Sequence, residues 1–184
     1  MADISELIRR VNAGEADARE ALFAAAYGEL RTLARSRLYR GGRNTYLDTT
    51  ALVHESYLRF VQSGQLRSQD RGAFFLYAAR VMRAVIVDSV RRHQALRRGA
   101  GHEHVTLNTN VQDPEQAAAE ETLHLHHAID QLARVKPLLA EVVEMRYFGG
   151  YSEAEIAVAL GVTERTVRRY WHKARALLSV MLED

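Results

Sequence analysis

The sequence predicts an all-α protein: two small helical domains joined by a flexible linker, the second a four-helix domain containing a helix-turn-helix. Three observations carry this expectation. Apolar residues recur at spacings of three and four through most of the chain. Proline occurs only twice and β-branched alternation is scarce. The helical period also breaks once, in "QALRRGAGHEHVTLNTNVQD" (94–113), which brings Gly99, Gly101 and a short extended-looking "VTL". The expected boundaries are 1–96 for the first domain, 97–113 for the linker and 114–184 for the second.

Each element follows from its own pattern. Residues 15–39 carry Leu22, Phe23, Tyr27, Leu30, Ala34 and Leu38 as one apolar stripe. "TTALVHESYLRFV" (49–61) repeats it with Leu52, Val53, Tyr57 and Phe60, and residues 72–93 repeat it with Ala78, Val81, Met82, Val85 and Ser89. Three such stripes close a small bundle. After the break, "DPE" (113–115) restarts a helix, with Asp113 as N-cap, Pro114 at the first helical position and Glu115 on the positive end of the dipole. Four helical segments are expected from there, at 114–134, 137–148, 152–159 and 163–181.

The last two have helix-turn-helix proportions. Ser152 and Glu155 form a capping-box pattern, Gly161 supplies a left-handed turn, and Thr163 caps the next helix. At 100° per residue Val167, Tyr170, Trp171, Ala174 and Leu178 share one arc, while Arg165, Arg168, Arg169, His172 and Arg175 share the opposite one. The apolar arc docks and the basic arc faces DNA. Glu164, Arg165, Arg168 and Arg169 are expected at base edges, with Lys173 and Arg175 at the backbone; Thr163 and Thr166 flank them.

Charge is uneven. Residues 1–98 carry a net +7, residues 99–131 a net −6 without a single Lys or Arg, and residues 132–184 a net +1. Of the basic residues 23 are Arg, a side chain suited to phosphate and guanine, although a G+C-rich genome gives the same bias. The acidic middle reads as a solvated linker and helix face in preference to a cover folded over the basic surfaces. The third N-terminal stripe has Arg80, Arg83, Val87 and Arg91 along one face, then Arg92 and His93, a phosphate-tracking row. Phe74, Phe75 and Tyr77 precede it, placed either to stack on unpaired bases or to pack in the core.

Several classes are excluded. Without cysteine there are no disulfides, thiolate metal sites or cysteine nucleophiles. No apolar run is long enough for a membrane span, and the charged N-terminus is unlike a secretory signal, so the expected compartment is the cytoplasm. His124 and His127 have the i, i+3 spacing of a metal pair beside Glu120 and Glu121, but no third ligand is fixed, so no metal is expected. No phosphate loop or nucleophile triad stands out, and neither catalysis nor a cofactor is expected.

"DTTALVHESYLRF", "FFLYAARVMRAVIVDSVRRH" and "EVVEMRYFGGYSEAEIAVALGVTERTVRRYWHKARALL" together resemble an extracytoplasmic-function (ECF) sigma factor of bacterial RNA polymerase. The resemblance covers nearly the whole chain. It implies that 1–96 is a region 2-like domain binding the polymerase clamp and opening the minus-10 element, and that 114–184 is a region 4-like domain reading the minus-35 element. The implied minus-10 residues are Arg80, Arg83, Asp88, Arg91 and Arg92. Asp88 matches the family's usual acid in this helix and would orient a neighbouring arginine. Core RNA polymerase and promoter DNA are the implied partners, and Asp48, Thr50, Glu55 and Arg59 the implied polymerase-binding residues.

One departure stands out. Where the family usually places "DAED" before "LVQE", this chain reads "DTTA", with Thr50 and Ala51 in place of two acids. The chain is thus similar to a sub-group lacking that motif and controlled by a Ser/Thr kinase. Thr50, or secondarily Thr49, is the expected phosphorylation site, unless Thr50 is an ordinary N-cap. Two other readings are a response-regulator-type regulator, which would need an α/β receiver, and a helical adaptor without DNA contact.

Overall fold

A computed structural model describes residues 3–40, 47–62, 70–99 and 114–183. Among them it contains eight α-helices and no strand: α1 (Ile4–Asn12), α2 (Ala18–Arg40), α3 (Thr49–Gln62), α4 (Arg71–Gly99), α5 (Pro114–Val135), α6 (Pro137–Val143), α7 (Glu153–Leu160) and α8 (Glu164–Glu183). A π-helical turn, Glu144–Gly149, continues α6.

The first half is α1 to α4. Its sequence stripes become its core: Leu22, Leu52, Val53 and Met82 are fully buried where α2, α3 and α4 meet. α1 is an addition to the three expected helices. Asp3 caps it by accepting a hydrogen bond from the Ser5 N–H at 3.1 Å, and Ile4, Leu7, Ile8 and Val11 bury its apolar face. α4 also runs past the expected break at 94, to Gly99. Gln94, Ala95, Leu96, Arg97 and Arg98 are strong helix formers, so nothing stops the helix before the first glycine. Asp113 and the rest of 100–113 lie outside the described residues.

The second half holds α5 to α8, with Leu132, Val142, Ile156 and Val167 fully buried. Its α6 ends in the wide π turn and Gly149–Gly150. A Cβ on Gly149 would run into the Tyr151 ring, so only glycine lets the chain fold back there. That fold-back sends the Tyr151 hydroxyl across to the first half, where it donates to the Gly72 carbonyl at 2.7 Å.

The halves share their interior. Buried residues from α1–α4 and from α5, α6, the π turn and α8 form one continuous cluster. Phe148 in the π turn lies beneath two guanidiniums of the first half, Arg37 at 4.9 Å and Arg83 at 5.7 Å from its centroid. Arg37 Nη1 donates to the Tyr147 carbonyl at 2.6 Å. In return Leu76 of α4 enters the apolar cluster beneath the helix-turn-helix, with Val142, Met145, Ile156, Ala157 and Val167.

Candidate nucleic-acid and polymerase interfaces

The C-terminal interface starts from its caps. Ser152 Oγ accepts from the Glu155 N–H at 3.3 Å while the Ser152 N–H donates to Glu155 Oε2 at 2.8 Å, a complete capping box. The Ser152 hydroxyl and N–H hydrogen bonds hold the Glu155 carboxyl below its usual range. Gly161 ends α7 at φ 63°, and Thr163 Oγ1 accepts from the Thr166 N–H at 3.3 Å to open α8.

These caps fix the roll of α8. Val167, Ala174 and Leu178 are buried, Tyr170 and Trp171 half-buried, and all five pack on the preceding helices. Thr163, Glu164, Arg165, Arg168, Arg169, His172, Lys173 and Arg175 are exposed, with Thr166 between the two faces. At about 1.5 Å per residue the basic edge from Arg165 to Arg175 is roughly 16 Å long, enough to cross a major groove about 12 Å wide. Two residues outside the sequence reading steady this edge. Arg146 stacks on Trp171 at 4.9 Å and pairs with Glu153 at 2.7 Å. The second oxygen of Glu153 lies 3.6 Å from Arg168 Nε.

The arginines of α4 are disposed differently. Arg91 and Arg92 are exposed, but the row Arg80–Arg83–Val87–Arg91 is not one open face. Val87 is buried, and the Arg83 side chain is 15% exposed, meeting Glu144 at 2.8 Å, Asp130 at 3.3 Å and His126 Nδ1 at 2.7 Å. Arg80 is 3.9 Å from Glu141. The second half packs on this row because its carboxylates answer the arginines. A guanidinium only donates, so His126 Nδ1 accepts, and Nε2, 3.3 Å from Asp130, carries the proton. Burial, then the Arg83 charge, lowers the His126 pKa. Burial raises that of Glu144 despite Arg83, Arg80 and Arg37 nearby. Desolvation pushes the half-buried Tyr151 up to about 12.

Phe74 and Phe75 pack in the core of the first half, edge-on at 5.1 Å to one another, the core alternative of the two readings. Tyr77 is half-buried against Phe60. Asp88 pairs with Arg59 of α3 at 2.6 Å, not with an arginine of its own helix.

On α3, the Ala51 N–H donates to Asp48 Oδ1 at 2.8 Å, so Asp48 is the N-cap. Thr50 is therefore not the cap; it is exposed in a first turn that contains no acid. Thr49 and Glu55 are half-buried.

A profile of the family described as "ECF sigma factor" matches residues 1–184. The chain belongs to the ECF sigma factors. It is also 30% identical over 185 residues to the ECF RNA polymerase sigma factor BldN of Streptomyces coelicolor, an alignment covering 100% of this chain and 67% of that protein. The sigma factor thus binds core RNA polymerase and promoter DNA and directs the polymerase in initiation. A response-regulator reading is not favoured, and no strand occurs among the described residues of the first half to build a receiver.

Among the described residues no helix of the sigma factor is long and apolar enough to cross a membrane, and no group of His, Asp and Glu is arranged to hold a metal. His127 Nε2 lies 3.0 Å from the Gln131 amide. His102 and His104 lie outside the described residues. The sequence analysis missed Glu144, Asp130 and His126 as partners of Arg83. Only the −6 charge of the middle segment hinted at Asp130, and nothing in the spacing pointed to Glu144.

Proposed function

We propose that this sigma factor reads the minus-35 element through α8, contacts and opens the minus-10 element through α4, and grips the polymerase clamp through α3. The observation that carries the reading is the two-faced α8: a buried apolar arc sets Arg165, Arg168 and Arg169 outward on a helix whose start is fixed by Thr163. Run-off transcription with core polymerase on the promoter of its own transcription unit tests it. A specific transcript is expected, and its loss in Arg165→Ala/Arg168→Ala/Arg169→Ala, with polymerase binding retained, assigns those residues to DNA. Retained initiation in that variant overturns the assignment.

The clamp-binding helix carries the regulatory part. Asp48 already caps α3, which leaves the Thr50 hydroxyl exposed on the positive end of an acid-free first turn. A phosphate there adds about −1.5 to −2 charges with oxygens that pair with arginine, and the helix dipole favours it. The sigma factor is inactive as made and is switched on by a Ser/Thr kinase at Thr50, as in the sub-group it resembles. Protein phosphorylated at Thr50 binds core polymerase more tightly than unmodified protein, and Thr50→Ala abolishes the difference. Equal binding by the phosphorylated and unmodified forms refutes the switch.

A further inference from the structure

Asp88 stands three and four residues before Arg91 and Arg92 on α4, the spacing and order in which an acid pairs with a base one turn along the same helix. It pairs with neither. Arg59 Nη2, on α3, donates to Asp88 Oδ2 at 2.6 Å, and neither Arg91 nor Arg92 is ion-paired among the described residues. The Arg59 side chain is 33% exposed and that of Asp88 43%, so their bond is partly shielded from water. Arg91 and Arg92 are exposed, where a pair with Asp88 would be screened. The next residue of α3, Phe60, packs edge-on to Phe74 and Tyr77 of α4, each at 6.3 Å, which fixes where Arg59 reaches that helix.

An acid beside a phosphate-contacting arginine opposes binding twice: it competes for the guanidinium, and its own charge repels the phosphate. A cation brought from another helix relieves both effects. We propose that Arg59 is a positioning residue for the minus-10 surface: by holding Asp88 toward α3 it leaves Arg91 and Arg92 uncompensated for promoter phosphates. Arg59 touches no DNA in this role, which is separate from the polymerase contact that the resemblance implies for it.

The inference rests on the reading of α4 as a DNA-contacting helix, and the test separates the two. Holoenzyme is assembled with saturating core polymerase and titrated, over a range of salt, onto a duplex carrying the promoter of its own transcription unit with the minus-10 segment unpaired. Arg59→Gln frees Asp88 to take Arg91 or Arg92, so binding should weaken on the order of 10-fold. The salt slope should fall by about 0.7 to 0.9, the loss of one phosphate contact. Adding Asp88→Asn removes the competing acid, and Arg59→Gln/Asp88→Asn should recover most of the affinity and of the slope. Both variants lack the same Arg59 side chain, so any loss of polymerase contact is common to them and drops out of the comparison. Arg59→Lys, which keeps a cation within reach of Asp88, should lose less than Arg59→Gln on both counts. An unchanged slope in Arg59→Gln, or Arg59→Gln/Asp88→Asn as weak as Arg59→Gln, overturns the role of Arg59. Arg91→Gln/Arg92→Gln that binds and responds to salt as the unaltered protein does overturns the DNA reading of α4 instead.

Discussion

Phe148→Ala is the sharpest probe of how the halves hold together. The ring is 9% exposed, lies 4.9 Å and 5.7 Å from the Arg37 and Arg83 guanidiniums, and packs edge-on to Tyr147 at 5.0 Å. Truncating a buried Phe costs about 3–5 kcal/mol. Each guanidinium on the ring adds about 0.5–2 kcal/mol, toward the upper end where water is excluded. Because these terms share one cavity they do not add fully, and a loss of about 4–6 kcal/mol is expected. Phe148→Leu keeps most of the apolar burial and loses the ring face, so about 1.5–3 kcal/mol is expected of it. Urea unfolding followed by circular dichroism measures both, and Phe148→Ala should also split one transition into two as the halves uncouple. A loss below about 2 kcal/mol for alanine, or equal losses for leucine and alanine, would refute the reasoning.

Further outcomes follow from the same geometry. Gly161→Ala meets open space but must hold φ 63°, so a loss of about 1–2 kcal/mol is expected in thermal unfolding, with Gly161→Asn losing less. Arg168→Ala should weaken promoter binding by the holoenzyme about 5- to 150-fold, the range of one base contact, while Lys173→Ala should act alike on all sequences and reduce the salt slope by about 0.9. A footprint titration over salt separates the two. His126 titrates lower in the folded protein than its ordinary 6.5 because of burial and Arg83, with Arg91 acting the same way and Asp130 and Asp88 opposing. Its contribution to stability is therefore complete above pH 6.5 and is lost as pH falls through the lowered value. A melting temperature that falls on acidification from pH 6.5 toward that lowered value, less steeply in His126→Gln, is the expected result.

What the sequence showed clearly was periodic or local. The stripe from Leu22 to Leu38, the Ser152–Glu155 box, the Gly161 turn and the two arcs of α8 are all set within one or two helical turns, and the helices form where those patterns lie. The end of α4 was obscured because Gly99 and Gly101 drew the boundary back into residues that are good helix formers. Thr50 read as a possible cap because threonine suits that role; the Asp48 carboxylate two residues earlier takes it. Arg83 was the larger miss. Helical spacing says which residues share a face, not what another element 47 or 61 residues away places on that face. The acidic character of 99–131 was visible, yet the pairing of Asp130 with Arg83 depends on the path between α4 and α5.

Leu76 carries a consequence for assembly. It is a side chain of α4, yet it plugs the socket formed by Val142, Met145, Ile156, Ala157 and Val167 under α8. Any movement that parts α4 from the second half pulls this stopper out and leaves an oily notch behind α8. Water is a poor filling for such a notch, so any surface that takes the place of α4 there has to bring an apolar group of its own.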